Sequence, residues 1–203
     1  MYLGAMGRRL YSYMKEPILE PILRYMRIKK VLPVIMNIKK PILLDVGCGW
    51  EAKFLQNIEP YVEEAIGIYF KAPNLNTKKI KTIKQTITDK LPFDDLRFNI
   101  VTMLAVLEHI EQPVLMTKEI NRILIEGGYV VITVPSRISK PLLEFLSYRL
   151  NIVNPEEIRD HKHYYNKKDI EDLFLPCGFK IIKHEYFQFG MNNFCILRKE
   201  GLQ

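Results

Sequence analysis

The chain has 203 residues, of which 48% are hydrophobic, 26% charged and 11% aromatic. This balance is typical of a soluble globular protein and excludes a disordered, collagen-like or disulfide-scaffold chain. The length fits one domain with a modest extension. The cysteines are Cys48, Cys177 and Cys195, and their odd number and wide spacing indicate neither a disulfide framework nor a zinc knuckle. A reducing, cytoplasmic location is therefore expected.

Positive charge is concentrated at the start of the chain. The formal net charge is +7, and residues 1–40 hold nine Lys and Arg against Glu16 and Glu20, so the rest of the chain is neutral. This basic extension has three interpretations: a lid over an active site, a helix lying on an anionic membrane, or a nucleic-acid contact. The neutral remainder argues against the third. No run of apolar residues is long enough to span a membrane, and residues 1–10 lack a signal-peptide core.

Apolar spacing predicts the elements in chain order. Between Leu3 and Leu32 the spacing is helical, and two prolines, Pro17 and Pro21, divide it into two short amphipathic helices. Beyond Pro41, short apolar runs alternate with helical stretches, which is typical of an α/β sheet of mostly parallel strands. The predicted strands are Ile42–Val46, Ala65–Phe70, Ile80–Ile83, Phe98–Leu104 and Tyr129–Val134.

Further elements complete the pattern. A crossover helix begins at Pro113 and is expected to stop at Gly127 and Gly128. Two more helices are expected, one over Pro141–Leu150 and one that is N-capped by Asn166 and ends at Cys177 and Gly178. The last two runs are Phe179–Phe187 and Asn193–Arg198. Their link is too short for a crossover helix, so they should form an antiparallel hairpin.

The segment from Ile42 to Trp50 carries the clearest chemical signal. It reads as a buried strand that ends in an acid, Asp45, followed by Gly47-Cys48-Gly49. Glycine has no Cβ, so such a turn brings backbone N–H groups close to a ligand. By itself this pattern allows any nucleotide-like ligand. Three further motifs follow in order: Leu-Pro-Phe at 91–93, Leu-Glu-His at 107–109, and Gly-Gly-strand-Val-Pro over 127–135.

Taken together, these motifs resemble the class I S-adenosylmethionine (SAM) dependent methyltransferases, and most closely the ubiquinone/menaquinone-biosynthesis type, or methyltransferase type 11-like, enzymes. The resemblance covers about Pro41 to Lys199. It implies a Rossmann-like α/β fold, with a seven-stranded mostly parallel sheet, an antiparallel C-terminal hairpin, helices on both faces and an N-terminal helical extension. It also implies that SAM lies across the carboxyl ends of the strands. The expected division is an extension or lid over 1–40 and a methyltransferase domain over 41–203.

The resemblance also implies the cofactor-binding positions. Asp45, Gly47 and Gly49 match the loop that supports the methionine part of SAM. The complete expected set is Asp45, Gly47, Cys48, Gly49, Tyr69, Phe70, Thr86, Ile87, Leu104 and Ala105. The sequence departs from the family pattern at several places. Tyr69 stands where an acid usually holds the ribose, Thr86 where an acid often lies near the adenine, and Asn99 where an aspartate usually follows Phe98, while a third glycine near Trp50 is absent.

Two groups of residues are candidates for chemistry at the acceptor. His109 is the candidate base or orienting group, with simple capping or packing as the alternative. The acceptor is expected to contact His161, His163, Tyr164 and Tyr165, and Tyr13 of the lid. His161 and His163 have metal-ligand spacing, but no Cys or carboxylate pattern completes a site, so no metal is expected. The alternatives for this polar segment are acceptor contact and a plain surface loop.

The functional hypothesis is a cytoplasmic SAM-dependent methyltransferase that acts on a small-molecule, lipid-linked or sugar-like acceptor. The alternative is a methyltransferase-like module that has lost catalysis, because the ribose position is altered. A nicotinamide-binding domain is disfavoured, since Ala52 replaces the third glycine of its fingerprint. No nucleic-acid partner is expected, peripheral membrane contact through residues 1–32 is one option, and the sequence leaves the acceptor and the oligomeric state open.

Overall fold

The computed structural model describes residues 20–88, 90–139 and 163–201. Four α-helices are present in this part of the chain: α1 (Glu20–Met36), α2 (Lys53–Ile58), α3 (Pro113–Ile123) and α4 (Lys167–Phe174). Short 3-10 turns cover Glu59–Tyr61, Leu107–His109 and Leu175–Cys177. The strands are β1 (Ile42–Val46), β2 (Glu64–Tyr69), β3 (Ile80–Lys84), β4 (Phe98–Leu104), β5 (Leu124–Pro135), β6 (Phe179–Phe187) and β7 (Asn192–Lys199).

The strands form one seven-stranded sheet in the order β3-β2-β1-β4-β5-β7-β6. Strands β1 to β5 run parallel, whereas β7 pairs antiparallel with both β5 and β6. A tight turn joins β6 to β7, and the resulting hairpin pairs with the edge of β5 through β7. The predicted fold class, including the antiparallel C-terminal hairpin, is confirmed.

Helices cover both faces of the sheet. On one face, α1 and α2 bury Val31, Ile35 and Leu55 against side chains of β1, β4, β5 and β7. On the other face, α3 and α4 bury Ile120, Ile123, Phe174 and their neighbours against the alternate residues of the same strands. Successive strand residues point to opposite faces, so strands buried on both sides read as continuous apolar runs.

The predicted junction between the crossover helix and β5 is wrong. Helix α3 already ends at Ile123, and β5 begins at Leu124, so Gly127 and Gly128 lie within the strand. The pairing of β4 with β5 shifts register between Phe98 and Ile100, and Gly127 has a φ of +73°. A glycine pair can mark a bulge in a strand as readily as the end of a helix.

The prediction for the start of the chain is corrected in part. Helix α1 begins at Glu20, so Pro21 lies in its first turn, where its missing N–H has no intrahelical partner to lose. The helix then continues past Leu32 through Pro33 to Met36. The first predicted helix and the helix over Pro141–Leu150 lie outside the described residues. None of the helices in the described ranges is long and apolar enough to cross a membrane.

Candidate active site

The carboxyl ends of β1, β2 and β4 meet at one edge of the sheet, where the β1–α2 loop begins with Gly47. The Gly47 N–H donates to the Ile68 carbonyl at 2.8 Å. Gly47 has a φ of +82°, and a Cβ at this position would lie 2.3 Å from Cγ2 of Val106, in the loop after β4. Only glycine allows this backbone conformation together with such close contact between the two loops.

The rest of the glycine loop presents backbone to the solvent side of this edge. Gly49 has a φ of +73°, and a Cβ there would meet no atom within 4 Å. The Cys48 side chain lies against β2, since a Cβ on Gly67 would lie 2.8 Å from the Cys48 Sγ. Burial raises the pKa of the Cys48 thiol to about 12, so it is not a thiolate nucleophile. The Cys48 side chain anchors the loop to β2 and leaves the backbone at Gly49 open to a ligand.

Asp45 is the buried acid of the site. Its side chain is 3% exposed, and Oδ1 accepts a hydrogen bond of 2.6 Å from Thr102 Oγ1 on the neighbouring strand. Burial raises the pKa of Asp45 to about 7, and the bond from Thr102 opposes this rise. The ionised form of Asp45 is therefore unfavourable in the unliganded protein. A cationic group bound next to Asp45 would strongly stabilise that ionised form.

The residues predicted to hold ribose and adenine lie at or just after the carboxyl ends of β2 and β3. Tyr69 is the last residue of β2, and its ring lies 4.5 Å from the ring of Phe70, centroid to centroid. The Tyr69 carbonyl accepts a bond from Gln85 N–H at 3.1 Å, which ties the end of β2 to the segment after β3. Thr86, exposed, and Ile87, half-buried, lie in that segment. The predicted positions thus share one edge with the glycine loop.

The loop after β4 brings the candidate base to the same edge. Leu104 ends β4, and the Ala105 N–H donates to the Thr133 carbonyl of β5 at 2.9 Å. His109 ends the 3-10 turn Leu107–His109, and its N–H donates to the Val106 carbonyl at 2.9 Å. This turn fixes the backbone of His109 next to the carboxyl end of the sheet.

The predicted acceptor residues lie beside that turn. The His163 N–H donates to the Glu108 carbonyl at 3.4 Å, and Tyr165 forms an isolated bridge with Ser136, just after β5. The Tyr165 hydroxyl is buried and has no hydrogen-bond partner within the described ranges. Burial and the charge of nearby Glu108 raise the Tyr165 pKa. Tyr13 and His161 lie outside the described residues, and the described ranges hold no group of three metal-ligating side chains.

Sequence reasoning missed three polar residues that support this edge. Thr102 and Thr133 lie within the apolar runs of β4 and β5 and bond to Asp45 and Ala105. Glu108 is 1% exposed and belongs to the Leu-Glu-His motif, in which His109 is the only predicted site residue. A buried hydroxyl or acid in an apolar run is the signal that could have identified all three.

The close contact at Gly47 gives a direct prediction. Gly47→Ala should lower the free energy of unfolding by about 2–3 kcal/mol, because the new methyl group meets both a positive φ and Val106. Gly49→Ala is the matched control, since its backbone has a similar φ but its Cβ meets open space. It should cost only about 1 kcal/mol. Equal losses in urea unfolding of the two variants would show that the contact with Val106 is not what requires glycine.

Comparison with known families identifies the class of protein. The model of a methyltransferase-domain family matches residues 13–184, and the chain belongs to this family. No curated protein sequence matches the chain. The match begins within the basic extension, so it includes all of α1.

Solved structures share the fold at low sequence identity. A SAM-dependent methyltransferase of Mesorhizobium loti has a TM-score of 0.65 and 15% identity over 87% of this chain and 97% of its own. A SAM-dependent methyltransferase of Aquifex aeolicus has a TM-score of 0.64 and 17% identity over 85% and 89%. A Haloferax volcanii complex between a methyltransferase and its activator protein contributes a chain with a TM-score of 0.68 and 13% identity over 92% and 100%. These similarities establish the fold.

Proposed function

We propose that the chain transfers a methyl group from SAM to a small-molecule, lipid-linked or sugar-like acceptor at the carboxyl edge of its sheet. SAM is the cofactor expected for this family. One observation carries the proposal. Asp45, a buried acid near the end of β1, is followed by a glycine loop whose backbone at Gly49 is open to a ligand. The relation to the ubiquinone/menaquinone-biosynthesis type is the finer part of the proposal.

The proposed cofactor contacts follow from the order of the loops. Asp45 and the backbone at Gly47, Cys48 and Gly49 would receive the methionine part, whose ammonium suits a buried carboxylate. Tyr69 would donate or accept one hydrogen bond at the ribose. The remaining cofactor-binding positions in the proposal, along the adenine and the floor of the pocket, are Phe70, Thr86, Ile87, Leu104 and Ala105.

Bound SAM supplies a methyl group on a positively charged sulfur, and the protein's contribution is mainly to align the acceptor and exclude water. An acceptor that carries a proton on its nucleophilic atom also needs a base. His109 is our candidate for accepting that proton or orienting the acceptor. His163, Tyr164 and Tyr165 lie on the same side and would contact the acceptor, together with Tyr13 and His161.

Calorimetric titration of the purified protein with SAM and with S-adenosylhomocysteine tests the proposal. Saturable binding of both ligands is expected, with NAD as the matched nucleotide control that should not bind. The protein is then incubated with SAM and candidate acceptors, and mass spectrometry should show one added methyl group on the acceptor. Absence of SAM binding would contradict the proposal. Binding without transfer to any acceptor class would favour the non-catalytic module that the Tyr69 substitution suggests.

Two further parts of the proposal concern context. The division into an extension over 1–40 and a domain over 41–203 stays a prediction, although α1 packs on the sheet through Val31 and Ile35.

We also propose a cytoplasmic location, because Cys48, Cys177 and Cys195 are all free thiols.

A further inference from the structure

Large apolar side chains are exposed where α1, the β6–β7 turn and the end of β5 come together. Phe189 at the tip of the turn is 99% exposed, Ile138 is 80% exposed, and Tyr25 and Ile22 of α1 are 64% and 57% exposed. We call these four residues the tip surface. Exposed apolar side chains that lie in one region are typical of interaction sites.

Hydrogen bonds hold the parts of the tip surface together. The Gln188 side chain donates to the Leu23 carbonyl of α1 at 3.1 Å, and the Ser136 hydroxyl donates to the Gly190 carbonyl at 2.7 Å. The turn is thus tied to α1 on one side and to the segment that carries Ile138 on the other. Tyr25 also lines a cavity of about 450 Å³ with Met26, Lys29, Lys30 and Phe187.

The backbone of the turn is strained at the exposed Phe189 and at the residue before it. Gln188 and Phe189 have φ values of +52° and +59°, which is a costly conformation for residues with a side chain. Gln188 is 4% exposed, and its carbonyl oxygen Oε1 accepts a bond of 2.6 Å from Asn192. The buried amide therefore ties the turn to its neighbours, and the adjacent Phe189 ring is almost wholly exposed.

Basic residues border the tip surface. Between Ile22 and Lys30, α1 carries Arg24, Arg27, Lys29 and Lys30 and no acid. Lys30 is paired with Glu185 at 2.5 Å and Arg137 with Asp169 at 2.7 Å, whereas Lys29 lies on the exposed side of the helix. Ile22, Tyr25 and Lys29 are spaced to share that side. An apolar projection with a cationic border complements the surface of an anionic bilayer.

We propose that the tip surface docks the protein on anionic phospholipid membranes, with Phe189 inserted below the headgroups and the exposed Lys29 of α1 against the lipid charge. An exposed aromatic ring inserts more readily into a fluid lipid layer than into a rigid protein pocket. The carboxyl edge of the sheet then faces the bilayer, because β6 and β5 end there. This docking is independent of methyl transfer and would hold whether or not the proposed function does.

Co-sedimentation with vesicles tests this proposal on the full chain. Binding is expected to vesicles of phosphatidylcholine mixed with phosphatidylserine, to be absent with phosphatidylcholine alone, and to weaken at high salt. Phe189→Ser should reduce partitioning about tenfold, through loss of the buried ring. The matched control is Leu96→Ser: Leu96 is also exposed, at 51%, with a φ of +54°, but it precedes β4 at the opposite edge of the sheet. It should change partitioning by less than about twofold.

Other outcomes would overturn the proposal. Equal loss of binding in the two serine variants, or no binding to anionic vesicles, would exclude docking through the tip surface. If sedimentation velocity in lipid-free buffer showed a dimer that Phe189→Ser converts to monomer, the tip surface would be a contact between copies of this chain. Lys29→Glu should weaken vesicle binding at low salt and leave it nearly unchanged at high salt. A SAM titration of the same samples separates these results from a failure of the proposed function.

Discussion

Replacing Asp45 by Asn is expected to weaken SAM binding about 100-fold and to make the unliganded protein more stable at alkaline pH. The binding loss follows because a buried carboxylate that faces a cation contributes far more than a neutral amide of the same shape. The Asn oxygen still accepts the bond from Thr102, so the strand contact is retained. The two effects have opposite signs, which a merely structural role for Asp45 would not produce.

The stability effect has a definite pH window. The pKa of Asp45 is raised from 3.8 to about 7 in the folded protein, so the folded state holds this proton more tightly than the unfolded chain does. Its contribution to stability is complete at low pH and is lost as the pH rises from about 4 to about 7. The Asn variant does not titrate, so its advantage should be greatest above pH 7, up to about 4 kcal/mol, and should shrink toward acidic pH.

Urea unfolding and SAM titration across this pH range measure both effects. Wild-type affinity for SAM should fall as the pH drops below about 7, whereas the affinity of Asp45→Asn should be flat. Asp172→Asn, which changes an exposed aspartate on α4, is the control and should leave both profiles as in the wild type. An unchanged SAM affinity in Asp45→Asn would mean that the site lies elsewhere.

Replacing Tyr69 by Asp is expected to tighten SAM binding about fivefold or more. A carboxylate at the end of β2 can accept hydrogen bonds from both ribose hydroxyls, whereas a phenol makes one good bond. The position is half-buried and next to Phe70, so some stability is lost, and the unfolding midpoint of the variant must be measured as well.

Tyr69→Phe provides the matched comparison, because it keeps the ring and removes only the hydroxyl. Its affinity for SAM should fall by about fivefold. Weaker binding in a folded Tyr69→Asp protein would show that the pocket is not arranged around ribose hydroxyls at this position. Such a result would favour the non-catalytic module over the enzyme.

Strand positions were predictable because their physical signal is local. β1, β4 and β6 have the bounds that their apolar runs predict. The N-cap predicted at Asn166 is present and forms a capping box with Asp169. The junction at Ile123 and Leu124 was not predictable, because a strand extension past a bulge depends on its neighbour in the sheet. The length of α1 also depends on tertiary burial, because the helix continues past Pro33 and buries Ile35 against the sheet.

The candidate site was predictable only in part. The glycine loop and Asp45 follow from one continuous segment, so a motif could locate them. The hydrogen bond from Thr102 to Asp45 joins residues 57 apart in the chain, and it arises from the register of β1 with β4. The proximity of Tyr165 to Glu108 likewise depends on how the chain after β5 returns to the sheet. Contacts of this kind require the fold itself.

The position of β7 between β5 and β6 has a consequence for how the molecule is assembled. Each of β2 to β5 pairs with a strand that precedes it in the chain, but β5 keeps one open edge until a strand from much later in the chain arrives. The hairpin of β6 and β7 is local and should form quickly, whereas its docking closes a long loop and should be slow. During that interval β5, a 12-residue apolar strand, is the segment most exposed to intermolecular pairing. Aggregation during refolding should therefore begin at β5.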